Sequence, residues 1–168
     1  MITIPGVEKF QNRLNIERQL FKRQGLIFPK LFNGVEKAYY KFHKQGENSH
    51  WLIIEMAKQL DLPYILVFED NAYPCNNVLE YLTKTLQDIP DNINILQLGF
   101  NDNTNYNISY TNKNNIEFIH IEKCIPFHTK NDRFDGGTCS GFHSVIYFKS
   151  GYTKCQKVLE THLPCDCI

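Results

Sequence analysis

Two acids, Glu69 and Asp70, directly follow the most apolar run of the chain, Tyr64-Ile65-Leu66-Val67-Phe68, and are themselves followed by Asn71. If that run is a strand, the acids lie at its carboxyl end, where open α/β sheets bind their ligands. Two neighbouring carboxylates are costly to hold close unless a positive charge compensates them. A divalent cation bridging to a diphosphate is one such charge, because hard cations take carboxylate and phosphate oxygens. The dipeptide equally suits the start of a solvated loop, so its surroundings must decide. His50 stands in Gly46-Glu47-Asn48-Ser49-His50-Trp51, where a helical pattern begins. An imidazole there is either a satisfied capping or core group or a ligand contact. Gly136, Gly137 and Gly141 punctuate the segment that ends in His143. Such glycines let a backbone approach a ligand closely, and they also serve turns for steric reasons alone.

The elements that must carry these residues alternate. Ile2 to Ile4 reads as a short strand stopped by Pro5-Gly6, and Phe10, Leu14 and Phe21 then recur at helical spacing up to Gly25. Phe28 to Phe32 is a second apolar run. Asn48 or Ser49 is suited to cap a helix through Trp51, Leu52, Ile54 and Ala57. Tyr64 to Phe68, five apolar residues without alternation, suits an interior parallel strand covered on both faces. Asn76 is placed to cap a helix carrying Val78, Leu79, Leu82 and Leu86, with strands expected at Ile93 to Leu98, Ile116 to Ile121 and His143 to Phe148. Ser150 is placed to cap a last helix through Val158 and Leu159. This alternation predicts an α/β fold with a mostly parallel, Rossmann-like sheet and helices on both faces. Asn101 to Asn115, with seven asparagines, reads as a polar loop or a weak edge hairpin.

Composition narrows the class. The 168 residues suit one domain over 1–168, and 42% hydrophobic with 13% aromatic residues suits a packed core. Eighteen basic residues balance eighteen acidic ones, which argues against nucleic acid as a partner. No run approaches the ~20 apolar residues of a membrane helix, and the first residues lack the pattern of a signal peptide. The expectation is a cytoplasmic protein, with peripheral membrane contact still compatible. Six scattered cysteines without Cys-x-x-Cys spacing read as reduced structural thiols.

Taken in order, Ser49-His50 before a helix, the apolar strand ending in Glu69-Asp70, the glycine-rich turn to His143 and the later Pro164-Cys165-Asp166 resemble glycosyltransferase family 25, the lipooligosaccharide-type sugar transferases. Arg13 and Arg18 stand where that family has arginines opening its first helix, and Gly34-Val35-Glu36-Lys37-Ala38 is similar to a family segment. The resemblance spans nearly the whole chain, and residues 46–71 are its specific part. It implies a single GT-A-type domain, a nucleotide-sugar donor such as a UDP-sugar, Mn²⁺ or Mg²⁺, and inverting transfer to a glycan or glycolipid acceptor, as in lipopolysaccharide biosynthesis. In that reading Arg13, Ser49, His50, Glu69, Asp70, Gly141 and His143 bind the donor, and Asp70 and Asn71 hold the metal. Inverting transfer needs a carboxylate base for the acceptor hydroxyl. Asp166 is the first candidate and Asp135 the reserve. Two departures stand out: Asn71 replaces the last acid of the family's Glu-Asp-Asp, and the chain ends at Ile168 where family members continue. Both keep open a non-catalytic relative that binds a nucleotide sugar or a partner protein. A metal-dependent phosphoesterase using Glu69, Asp70 and His50 is disfavoured, because such sites cluster more acids and histidines.

Overall fold

The computed structural model describes residues 1–3, 6, 8–34, 44–89, 93–98, 110–111, 113–114, 117–118 and 144–160. In chain order these form β1 (Ile2–Thr3), α1 (Glu8–Arg23), β2 (Phe32–Asn33), α2 (Lys44–Gln59), β3 (Tyr64–Phe68), α3 (Val78–Leu86), β4 (Ile95–Gln97), β5 (Tyr110–Thr111), β6 (Glu117–Phe118), β7 (Ser144–Phe148) and α4 (Tyr152–Glu160). The class is mixed α/β.

The sheet differs from the expected one. β1 and β2 pair in parallel, but the central trio runs β3-β7-β4, with β7 antiparallel to both neighbours. An isolated parallel bridge from Ile2 to Glu69 ties β1 to the end of β3. Along its whole length β3 is therefore paired to an antiparallel neighbour, and Tyr64 is 55% exposed. The reading of Tyr64 to Phe68 as an interior strand of a parallel sheet is corrected accordingly: β3 ends the three-stranded order and its long partner is antiparallel. An apolar run reports burial and says nothing of its partner's direction, which here is set by β7 inserting between β3 and β4. β5 and β6 pair antiparallel, which selects the hairpin alternative for the end of the asparagine-rich stretch.

Alternation along β3 distributes its side chains to two cores. Val67 and Ile65 face a cluster with Ile53, Ile54 and Ala57 of α2, Val145 and Tyr147 of β7, and Tyr152 of α4. Phe68 points the other way, packing edge-on against Phe21 of α1 with ring centroids 5.6 Å apart. Helices thus cover both faces of this strand. α1 owes its position to Leu14 and Phe21, which are buried on one stripe. It ends where Gly25, at φ 66°, allows the Leu26 amide to reach back to the Phe21 carbonyl at 2.9 Å. α2 ends the same way, with Asp61 at φ 52° and the Leu62 amide on the Ala57 carbonyl at 3.0 Å.

Three expected caps fall elsewhere. α2 starts at Lys44, so Asn48 and Ser49 lie inside it. Gly46 weakens a helix by only ~1 kcal/mol, which packing of the Ile53–Ile54 face outweighs. α3 is preceded by Asn77 in the left-handed region at φ 61°, without a side-chain cap, and not by a capping Asn76. None of its side chains is fully buried. Ser150 lies in a 3₁₀ turn over Lys149–Gly151 and donates to the Ile93 carbonyl at 2.9 Å.

Gly151 in that turn is buried against the chain entering β4. A Cβ built on it would lie 2.5 Å from the Asn94 carbonyl oxygen and 2.7 Å from its Cα. Both are backbone atoms, so relief requires moving a strand. Gly151→Ala should lower stability by about 3 kcal/mol, the upper end of overpacking costs, read as a lower urea midpoint with an unchanged slope.

Among the described residues Cys75 is exposed and Cys155 buried, and both are free thiols. Burial pushes the Cys155 thiol up to about 11, as expected of an inert packing residue. Cys124, Cys139, Cys165 and Cys167 lie outside the described residues. Among the described residues, no helix is long and apolar enough to cross a membrane.

Candidate functional site at the end of β3

The alternation that splits Val67 from Phe68 continues into the two acids. Glu69, in register with Val67, meets α2: its Oε1 lies 3.7 Å from His50 Nε2. Asp70, in register with Phe68, meets α1: its Oδ1 accepts from Arg13 Nη1 at 3.2 Å. One strand end thus joins residues from three separate segments. Their side chains grade from buried to accessible: His50 is fully buried, Asp70 10% exposed, Glu69 26% and Arg13 28%. Ser49 is buried beside His50 on α2, and Asn71 is half-buried in the turn after Asp70.

Two groups that composition and motifs did not single out complete the corner. Glu17 lies one helical turn after Arg13 and is fully buried, and among the described residues no side chain hydrogen-bonds either carboxyl oxygen. Burial raises its pKa to about 7, and the Asp70 charge pushes the same way. The N-terminal amine, the Ala72 amide and Arg13 partly oppose the shift. Asp70 is likewise raised, first by burial and then by Glu69, against the pull of Arg13. The second group is Tyr147 of β7, whose hydroxyl lies 2.9 Å from His50 Nδ1 in the core. Glu17 was legible in principle. It falls on the same stripe as Leu14 and Phe21, where a lone acid among buried apolar positions is anomalous. Tyr147 carried no such signal, because a tyrosine in an apolar strand is ordinary.

The compensating charge expected beside Glu69 and Asp70 is therefore present as the Arg13 guanidinium. Whether a divalent ion also fits is a question of donors. The corner offers it the Glu69 carboxylate beside His50, Asp70, already engaged by Arg13 through Oδ1, and the neutral Asn71. Mg²⁺ fills most of its six positions with waters and substrate phosphates and needs only one or two carboxylates from a protein, so this set would hold an ion only together with a bound diphosphate. Among the described residues, no group of three or more His, Cys, Asp or Glu is placed to hold a metal. An open recess of about 810 Å³ lies between the end of α1 and α3, lined by Arg23, Asn77, Thr83 and Lys84 among others. None of the expected site residues lines it, so the cleft expected beside Glu69 and Asp70 is not this recess. Asp135, Gly141, His143 and Asp166 lie outside the described residues.

No protein-family model matches the sequence, and no curated protein is significantly similar to it.

Proposed function

We propose that the chain is a nucleotide-sugar-dependent glycosyltransferase that uses the β3 corner on its donor side, in the manner implied by the resemblance to glycosyltransferase family 25. The observation that carries the reading is the meeting of Arg13, His50, Glu69 and Asp70 at one strand end. These residues are 57 positions apart at the extremes, and packing alone does not require four polar groups to meet there. Arg13 supplies a fixed positive charge beside the acids, suited to the phosphates of a nucleoside diphosphate as they leave. Glu69 and Asp70 supply oriented acceptors for sugar or ribose hydroxyls. Deprotonation of the acceptor hydroxyl falls to Asp166 or Asp135 in this reading.

Calorimetric titration of the 168-residue chain with UDP-sugars, with and without Mn²⁺, tests the proposal. Binding that depends on the sugar, followed by donor hydrolysis or transfer, is the expected result. Indifference to every nucleotide sugar overturns it. Asn71→Asp would restore the acid that the family has at this position, and is expected to tighten Mn²⁺ binding by about tenfold or more, a charged oxygen replacing a neutral one. Unchanged Mn²⁺ affinity would place position 71 out of reach of any ion.

A second reading, a binding protein without turnover, is favoured by one observation: the Arg13–Asp70 pair already satisfies the acid that the family devotes to the donor's cation. It predicts sugar-dependent binding with no loss of donor over hours.

A further inference from the structure

Tyr147 and His50 are both fully buried, from β7 and α2, and touch through their polar atoms beside the apolar cluster of Ile53, Ile54, Val67 and Val145. Register explains the meeting. Tyr147 pairs with Ile65 of β3 and so lies on the face that α2 covers. His50 precedes Ile53 and Ile54 by three and four residues, which puts it on the same buried helix face. The two rings pack edge-to-face, centroids 5.8 Å apart and 67° between planes. The hydroxyl lies 2.9 Å from Nδ1, and the opposite nitrogen, Nε2, lies 3.7 Å from the Glu69 carboxylate.

These positions constrain the proton. In a neutral imidazole one nitrogen donates and the other accepts. With the proton on Nδ1, the ring would donate to the tyrosine oxygen and turn the Nε2 lone pair toward a carboxylate, which is repulsive. With the proton on Nε2, the N–H faces Glu69 and Nδ1 accepts from the tyrosine hydroxyl. Of the two neutral tautomers, only the second is favourable at both ends. We propose that Tyr147 is a positioning residue: its hydroxyl donates to His50 Nδ1, holds the ring as the Nε2–H tautomer and so aims an N–H at Glu69 of the donor corner. The role in donor binding rests on the proposed function, whereas the tautomer does not.

The test has two independent readouts. Long-range ¹H–¹⁵N spectra of the ¹⁵N-labelled chain should show His50 protonated at Nε2, with Nδ1 an acceptor. In Tyr147→Phe the Nδ1 signal should move to that of an acceptor without a hydrogen bond. Tyr152→Phe removes a hydroxyl from the same core, one that donates to the Leu62 carbonyl. That variant should leave both His50 signals in place. A wild-type His50 protonated at Nδ1, or a signal unmoved by Tyr147→Phe, overturns the proposal. For the donor corner, Tyr147→Phe should weaken nucleotide-sugar binding by about tenfold, the worth of one buried hydrogen bond, and Tyr152→Phe should not. Equal weakening by both variants would reduce Tyr147 to a packing residue. A wild-type chain that binds no nucleotide sugar would overturn the proposed function, and the nitrogen spectra would then judge the tautomer by themselves.

Discussion

Glu17→Gln is expected to stabilise the protein at pH 8 by about 3 kcal/mol and to leave its stability below pH 4.5 nearly unchanged. The magnitude follows from a carboxyl whose pKa rises from 4.5 in the unfolded chain to about 7 in the fold, at ~1.4 kcal/mol for each unit. The sign follows from proton linkage. A raised native pKa means that the fold holds the proton more tightly, so this stabilisation is complete below 4.5 and disappears as the pH climbs through 7. Glutamine, uncharged throughout, has nothing to lose across that range. Asp70 is raised too and adds to the wild-type decline in the same direction. The N-terminal amine works the opposite way: burial lowers it from 8.0 to about 6, so its contribution grows as pH rises between those values. Urea denaturation of both proteins at half-unit steps from pH 4.5 to 8 separates the effects, since Asp70 and the N-terminal amine are present in both proteins and the difference between the two curves belongs to Glu17. Parallel curves for the two proteins would show that Glu17 is ionised and satisfied in the fold.

Asp70→Asn should reduce sugar transfer by about 10²–10³-fold, the range for losing one preorganised polar group at a developing charge. The substitution keeps the shape of the side chain but removes the charge that holds Arg13 at 3.2 Å. Arg13 is then free to take other partners, and its placement toward a departing diphosphate is lost. Because the expectation depends on the proposed function, it comes with a readout that does not. Asp70 is one of the causes that raise Glu17, second only to burial. In Asp70→Asn the Glu17 carboxyl should therefore titrate at lower pH, as followed by its side-chain ¹³C resonance. An unmoved Glu17 would show that the two acids are not coupled. Unchanged transfer with a shifted Glu17 would leave the coupling intact and remove Asp70 from the donor corner.

The amino-acid sequence determined the local facts of this protein. The apolar run Tyr64 to Phe68 had to be extended and at least half-buried, because β-branched and aromatic residues without turn signals leave little else. Glu69 and Asp70 then had to sit at its end. Leu14 and Phe21 sketched the buried stripe of α1, and Gly25 marked its stop, since a left-handed residue there is cheap only for glycine. Arg13, His50, Glu69 and Asp70 could all be picked out one by one. What their order along the chain does not contain is who meets whom. Strand direction depends on long-range pairing, and β7, more than 75 residues after β3, reversed the expected parallel arrangement by inserting between β3 and β4. Helix starts moved for a related reason: local capping preferences of about 1 kcal/mol yield to packing worth several times that. The division of the acids was also a tertiary decision. Adjacent residues of a strand face opposite sides, so the layers over β3 gave Glu69 to His50 and Asp70 to Arg13. The same layering buried Glu17 beneath Asp70 and brought Tyr147 to His50, two contacts that exist only once α1, α2 and β7 have packed around one strand.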